Sequence, residues 1–186
     1  MPVERPRADE RRLTPTVGPI ESTIPRALTM LNPSVNYCRM EKTHPDDWPQ
    51  ISSGIYYDDA GAAIDFLCKA FGFEVRLRVD GEGGRVEHSE LTIGDGMVMV
   101  GSVGKHALRQ SPRSIGGVNT QSLMVFVADA DAHCEKARAA GARIVMPPKT
   151  TDYGEDYWAD RTYEAEDPEG HRWWMVQRVR GPKGKT

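Results

Sequence analysis

Asp59-Ala60-Gly61-Ala62-Ala63-Ile64-Asp65-Phe66-Leu67-Cys68-Lys69-Ala70-Phe71-Gly72 is the stretch on which the reading of this chain turns. Ile64, Leu67, Cys68 and Phe71 fall at i, i+3, i+4 and i+7, one apolar helical stripe, with Asp59 placed to cap its start and Gly72 to stop it. Upstream, Ile51 to Tyr57 reads as a short strand. Downstream, Phe73 to Val79 alternates apolar with charged residues, Asp80-Gly81-Glu82-Gly83-Gly84 supplies turn chemistry, and Arg85 to Ile93 alternates again. Gly94-Asp95-Gly96 then leads into a strand from Met97 to Val100. Glycine-rich 81–84 joins two strands instead of opening a helix, so it is a hairpin turn and not a phosphate loop.

The same order recurs about 70 residues later, a spacing that marks a duplicated module rather than a solenoid unit. Ser122 to Val127 reads as a strand, Asp129 or Asp131 as a cap, and a helix runs through Ala140 to Gly141. Arg143 to Met146 follows as a strand, then a long loop over 147–160 with Pro147-Pro148 and Asp152-Tyr153-Gly154, then strands Arg161 to Ala165 and His171 to Val179 around the turn Asp167-Pro168-Glu169-Gly170. Tyr57-Asp58-Asp59-Ala60 answers Val127-Ala128-Asp129-Ala130, and Phe71-Gly72-Phe73 answers Ala140-Gly141-Ala142. The expected fold is therefore α+β: two βαβββ modules, 51–102 and 120–179, within a domain spanning 51–180. Each offers one helix to cover one face of a four-stranded sheet, leaving the other face to its twin or to a ligand.

Residues 1–50 differ. They hold eight of the thirteen prolines and no sustained apolar period, which reads as an extension or arm. Cys38, Cys68 and Cys134 are odd in number and widely spaced, fitting free thiols in a reducing compartment. A net charge of -3 offers no field for a phosphate backbone, and no apolar run approaches the roughly 20 residues that cross a bilayer. These features predict a cytoplasmic protein with neither nucleic-acid nor membrane partners.

Four stretches resemble the vicinal oxygen chelate superfamily, the glyoxalase, bleomycin-resistance and extradiol-dioxygenase group. They are Ala62 to Leu67 with Ala70-Phe71-Gly72-Phe73, His88-Ser89-Glu90-Leu91 with Gly94 to Met99, Val127 to Ala132, and Asp167 to Trp173. The likeness is to its bacterial glyoxalase-like members. The resemblance implies paired modules around a cleft and, in metal-using members, a His or Glu on the first strand of each module with a Glu on the last. Those first-strand positions fall on Ser52 and Ser122, and the last-strand positions on Trp174 and near Val98 or Met99. Shifting a first strand by one residue offers only Gln121 as a ligand. The family's metal set is thus expected to be missing, and with it the Lewis-acid chemistry of the lyases and dioxygenases.

Strand alternation then places Ser52, Gly54 and Tyr56 on the cleft side with Ser122, Met124, Phe126 and Trp174, a soft aromatic lining suited to a flat, partly apolar small molecule; the same residues would equally serve as core between modules. Tyr153 and Trp158, on the 147–160 loop, read as a lid or as part of a homodimer contact. His88 and Glu90, two apart on one strand, are catalytic candidates if they face the cleft and a solvated face if they do not. His171 reads as structural, and His133, Cys134 and His44 as inert.

Three functions follow as expectations. The first is a metal-free binder of a partly aromatic ligand, without cofactor and paired as a homodimer. The second is an enzyme, either a metal-dependent lyase or dioxygenase using a nonstandard set such as His88, Glu90 and Gln121, or an acid–base catalyst using His88. The third is a regulatory protein that recruits a partner through the arm and the 147–160 loop.

Overall fold

A computed structural model describes residues 45–104 and 106–184; most of the arm, with Cys38 and His44, lies outside them. Chain order is β1 (Ser53–Tyr57), α1 (Ala60–Phe71), β2 (Glu74–Asp80), β3 (Val86–Ile93), β4 (Gly96–Ser102), β5 (Ser122–Phe126), α2 (Ala130–Ala139), β6 (Arg143–Asp152), β7 (Ala159–Glu166) and β8 (Arg172–Arg180). The strands form two four-stranded sheets, ordered β1-β4-β3-β2 and β5-β8-β7-β6. In each, the first strand runs parallel to the last and the other pairs are antiparallel. This is the duplicated βαβββ arrangement.

Both helices begin and end where their local chemistry dictates. Asp59 Oδ1 accepts the Ala62 amide at 2.9 Å, and Gly72, at φ 83°, closes α1 in the left-handed conformation that a side chain would strain. Asp129, not Asp131, caps α2, taking the Asp131 and Ala132 amides at 2.9 and 3.0 Å. Ala63, Ile64, Leu67, Ala70 and Phe71 bury the stripe of α1. Each large side chain there contributes about 1.5–3 kcal/mol by leaving water.

The two modules share one core. Ile55, Tyr57, Leu91, Val98 and Val100 from the first sheet join Tyr163, Ala165, Trp173 and Met175 from the second, with both helices in the same cluster. The Trp173 ring lies 5.3 Å from Phe71 and 5.6 Å from Phe73. The helix-bearing faces are therefore the ones that meet, and each sheet turns its other face away from the shared core.

The loop expected over 147–160 is largely strand. β6 continues to Asp152, pairing Lys149 with Thr162 and Asp152 with Ala159, and only 153–158 turn the chain. Proline lacks the amide a central strand needs, but Pro147-Pro148 fall where the register shifts between Met146 and Lys149 on an edge strand, so no ladder bond is lost. The turn itself is pinned: Tyr153 N donates to Trp158 O at 3.0 Å, and Arg180 donates to the carbonyls of Gly154 and Tyr157 at 3.0 and 3.3 Å.

Polar locking of the modules centres on the turn between β7 and β8. Asp167, 3% exposed, takes the Tyr57 hydroxyl at 2.6 Å, Trp173 Nε1 at 3.1 Å and the amides of Glu169 and His171 at 3.0 Å. Glu169, 4% exposed, takes the amides of Asp58 and Asp59 at 2.7 and 2.8 Å and the Ser111 hydroxyl at 2.6 Å. Asp167→Ala, which strands the Tyr57 and Trp173 donors, is expected to cost about 3 kcal/mol in urea unfolding; a loss under about 0.5 kcal/mol, the size of an ordinary surface substitution, would contradict this account of the seam.

His133 of α2 is a second bridge. Its Nε2 stands 3.2 Å from the Phe71 carbonyl, and its Nδ1 is 2.6 Å from the Tyr163 hydroxyl. A neutral ring that donates from Nε2 and accepts at Nδ1 satisfies both. Burial lowers its pKa, with Lys136 adding to the effect and the Phe71 carbonyl opposing it. A lowered folded pKa means that the unfolded chain binds the proton more tightly, so this stability is complete above the unfolded value of about 6.5 and is lost as pH falls below it. Wild type should therefore lose more stability than His133→Gln between about pH 7.5 and pH 5. Parallel losses in urea midpoints would remove His133 as the cause.

Candidate functional site

Strand register identifies which side chains share the open face of the first sheet. Ile55, Tyr57, Val98 and Val100 point into the core, so Gly54, Tyr56, Met99 and Gly101 occupy the opposite side. Met99 pairs with Glu90, Glu90 with Leu77, and His88 with Val79, which adds all of these to that face. Tyr56 lies flat across it because its neighbours lack side chains: a Cβ on Gly101 would sit 3.5 Å from Tyr56 Cε1, and one on Gly54 would sit 3.5 Å from its hydroxyl.

The catalytic candidates His88 and Glu90 both lie on this face, in contact. His88 Nε2 is 3.1 Å from Glu90 Oε1, while Arg76 Nη1 donates to Glu90 Oε2 at 2.9 Å. Glu90 is 6% exposed, a carboxylate held between a guanidinium and an imidazole. Arg76 also pairs with Asp47 and lies 5.2 Å from the Trp48 ring. With Glu90 ionised, Nε2 carries the proton and Nδ1 is left as the basic nitrogen, an orientation that general-base work requires. A cavity of about 280 Å³ opens beside the pair, its lining including Tyr56, Glu87, His88, Met99, Gly101 and Arg109. A neighbouring one of about 350 Å³ shares Tyr56 and Arg109 and continues past Leu108, Ile115, Val118 and Gln121.

The second sheet presents a different open face. Met124 and Phe126 are 63% and 55% exposed, while Trp173 and Met175 are buried on the reverse. Trp174, half-buried and paired with Met124 and Glu164, lies on the open side, and Ser122 pairs with Arg172 at its end. Arg178 spans Phe126 at 5.5 Å and Trp158 at 5.0 Å while holding Asp160 in an ion pair. Tyr153 and Trp158 pack on each other with ring centres 5.9 Å apart.

The proposed lining is thus divided. Ser52 and Tyr56 belong to one module's open face; Ser122, Met124, Phe126, Trp174 and Trp158 belong to the other's. Gln121 meets Ser53 at 3.4 Å, in a cavity that includes neither His88 nor Glu90. His171 is structural: its Nε2 donates to the Tyr56 carbonyl at 3.0 Å and its ring lies 4.5 Å from Tyr57. Arg76, Met99 and Arg109 complete the first face. A bulge in β2 delivers Arg76, and Arg109 comes from a linker whose sequence reads only as polar connection.

The donor set does not fit the superfamily's metal. On the open faces at the expected strand positions stand Ser52, Met99, Ser122 and Trp174, and the buried Ser52 hydroxyl makes no hydrogen bond among the described residues. Among those residues, no three His, Cys, Asp or Glu side chains gather as a cation site.

The profile of the Glyoxalase/Bleomycin resistance protein/Dioxygenase superfamily matches residues 49–175. The chain belongs to that superfamily. It is 34% identical over 137 residues to an uncharacterized protein of Mycobacterium bovis, covering 71% of this chain and 85% of that one. Among solved structures, TioX from a Micromonospora species is 31% identical with a TM-score of 0.55, covering 70% of this chain and 99% of TioX. TnmS3, described as an antibiotic binding protein from a Streptomyces species, has a TM-score of 0.53 at 19% identity, covering 73% of this chain and 100% of that one. At that identity the likeness is of fold.

Proposed function

We propose that this superfamily member binds a small, planar, partly aromatic molecule without a metal, on the open face around Tyr56, Met99 and His88, and that a second copy closes the site. The carrying observation is the exposure of Met124 and Phe126 on the second module's open face. Apolar side chains grouped and exposed in this way mark an interface or a ligand groove. With the helix-bearing faces already joined, a two-fold homodimer would set the first open face of each copy against the second of its partner, giving two equivalent clefts. TnmS3 illustrates that the fold serves antibiotic binding elsewhere; the ligand class here rests on the lining itself. Cys68 and Cys134 are free thiols, consistent with a reducing cytoplasm, and no helix among the described residues is long and apolar enough to cross a membrane.

Phe126→Asp tests the paired cleft. Sedimentation should change from dimer to monomer, and a planar probe such as 2-naphthamide should bind at least about tenfold more weakly, a change of about 1.4 kcal/mol. A monomeric wild type that binds the probe equally well with Tyr56→Ala would overturn the reading. The metal-free part has its own readout, because an ion at a hundred times its Kd adds about 2.7 kcal/mol of stability. Melting in excess Zn, Mn, Ni or Fe(II) is expected to be unshifted; a rise of several degrees with one ion would reverse that conclusion.

The His88–Glu90 contact favours a second reading, metal-free acid–base catalysis on the same face. His88 Nδ1 would take the proton, with Glu90 and Arg76 holding the ring. Turnover that survives His88→Gln unchanged would exclude it.

A further inference from the structure

Arg109 differs from the other arginines around it. Among the described residues, each of the rest is paired with a carboxylate, or in the case of Arg113 donates to the Pro168 carbonyl at 2.8 Å. The Arg109 guanidinium instead has the Tyr56 ring, 4.8 Å from its centroid. Attraction to a ring face acts through the charge and leaves the N–H donors of the guanidinium unspent. Its place is nevertheless built. The Arg109 amide donates to His106 O at 3.0 Å, and two residues on, fully buried Ser111 is tied to Glu169 at 2.6 Å, so the linker is anchored to the seam beside Tyr56.

Arg109 also lines both adjoining cavities, at the point where they meet over Tyr56. Among the described residues no carboxylate is paired with it, although Glu87 lines the smaller cavity as well. Glu90 is held by Arg76 and His88, and the Glu87 carboxylate lies 3.9 Å from Arg85 and against Gly81. The volumes, about 350 and about 280 Å³, suit a compact ligand.

Resting on the binding function above, we infer that the ligand is a planar aromatic carboxylic acid, with its ring against Met99 and the edge of Tyr56 and its carboxylate on Arg109. A guanidinium takes a carboxylate through two parallel N–H···O bonds, which fixes orientation as well as charge. Ring contact alone would accept acids, amides and amines of one shape equally.

The test uses the full-length protein and two matched probes, 2-naphthoate and its uncharged amide, titrated by calorimetry against wild type, Arg109→Met and Tyr56→Ala. The expected result is an acid preference of at least about tenfold in wild type that disappears in Arg109→Met, read as the ratio of the two affinities so that a general loss of binding cancels. Arg109→Lys, which keeps the charge but not the fork, should retain only part of the preference. Equal affinity for acid and amide in wild type, with both lost in Tyr56→Ala, would overturn the acid while leaving the binding face intact. Failure of both probes to bind, or binding indifferent to Tyr56→Ala, would overturn the binding face and the acid together.

Discussion

Two buried carboxylates at one turn hold this molecule in shape. A carboxylate stripped of water is costly unless its lone pairs are answered, and Asp167 and Glu169 are answered from across the module boundary: by the Tyr57 hydroxyl, by the amides that start α1, and by Ser111 of the linker. Neither module can satisfy that turn alone. The geometry of the seam is therefore stricter than hydrophobic contact would make it, since apolar surfaces can slide where hydrogen bonds at 2.6–2.8 Å cannot.

Much of the rest follows from that seam. It joins the helix-bearing faces into one core, so the other face of each sheet lies outside that core. Aromatic and sulfur-containing side chains on those faces, Tyr56 and Met99 on one and Met124, Phe126 and Trp174 on the other, are then available to a ligand or a second copy. The seam also fixes the linker through Ser111, and so carries Arg109 to Tyr56. An interaction that looks purely architectural thus sets the chemistry of the site.

What could be read in advance divides along the range of the interactions. Helix α1 is bounded by Asp59 and Gly72 as the sequence implies, because an N-cap and a left-handed glycine act within a few residues. Strand phase was legible for Tyr56 because Ile55 and Tyr57 flank it on the buried side. For His88 and Glu90 the phase was open, since an alternating polar strand has the same pattern whether its polar face meets solvent or a cavity; pairing with Met99 and Val79 settled it. Pro147-Pro148 signalled a loop, and the signal failed because a bulge on an edge strand has no ladder bond to lose. Arg76 and Arg109 carried no legible sign, one delivered by a bulge and the other by a linker.

By itself, then, the sequence determined the duplicated strand–helix–three-strand order, the start and end of α1, and the absence of ligand-type residues at Ser52, Ser122 and Trp174, all of which depend on residue type and short spacing. Only the tertiary structure decided that the modules meet on their helix sides, that the expected lining is split between two faces, and that Arg109 meets Tyr56 in a cavity shared with His88, which Glu90 and Arg76 back. Those outcomes rest on contacts between residues tens of positions apart, and local propensity has no term for them.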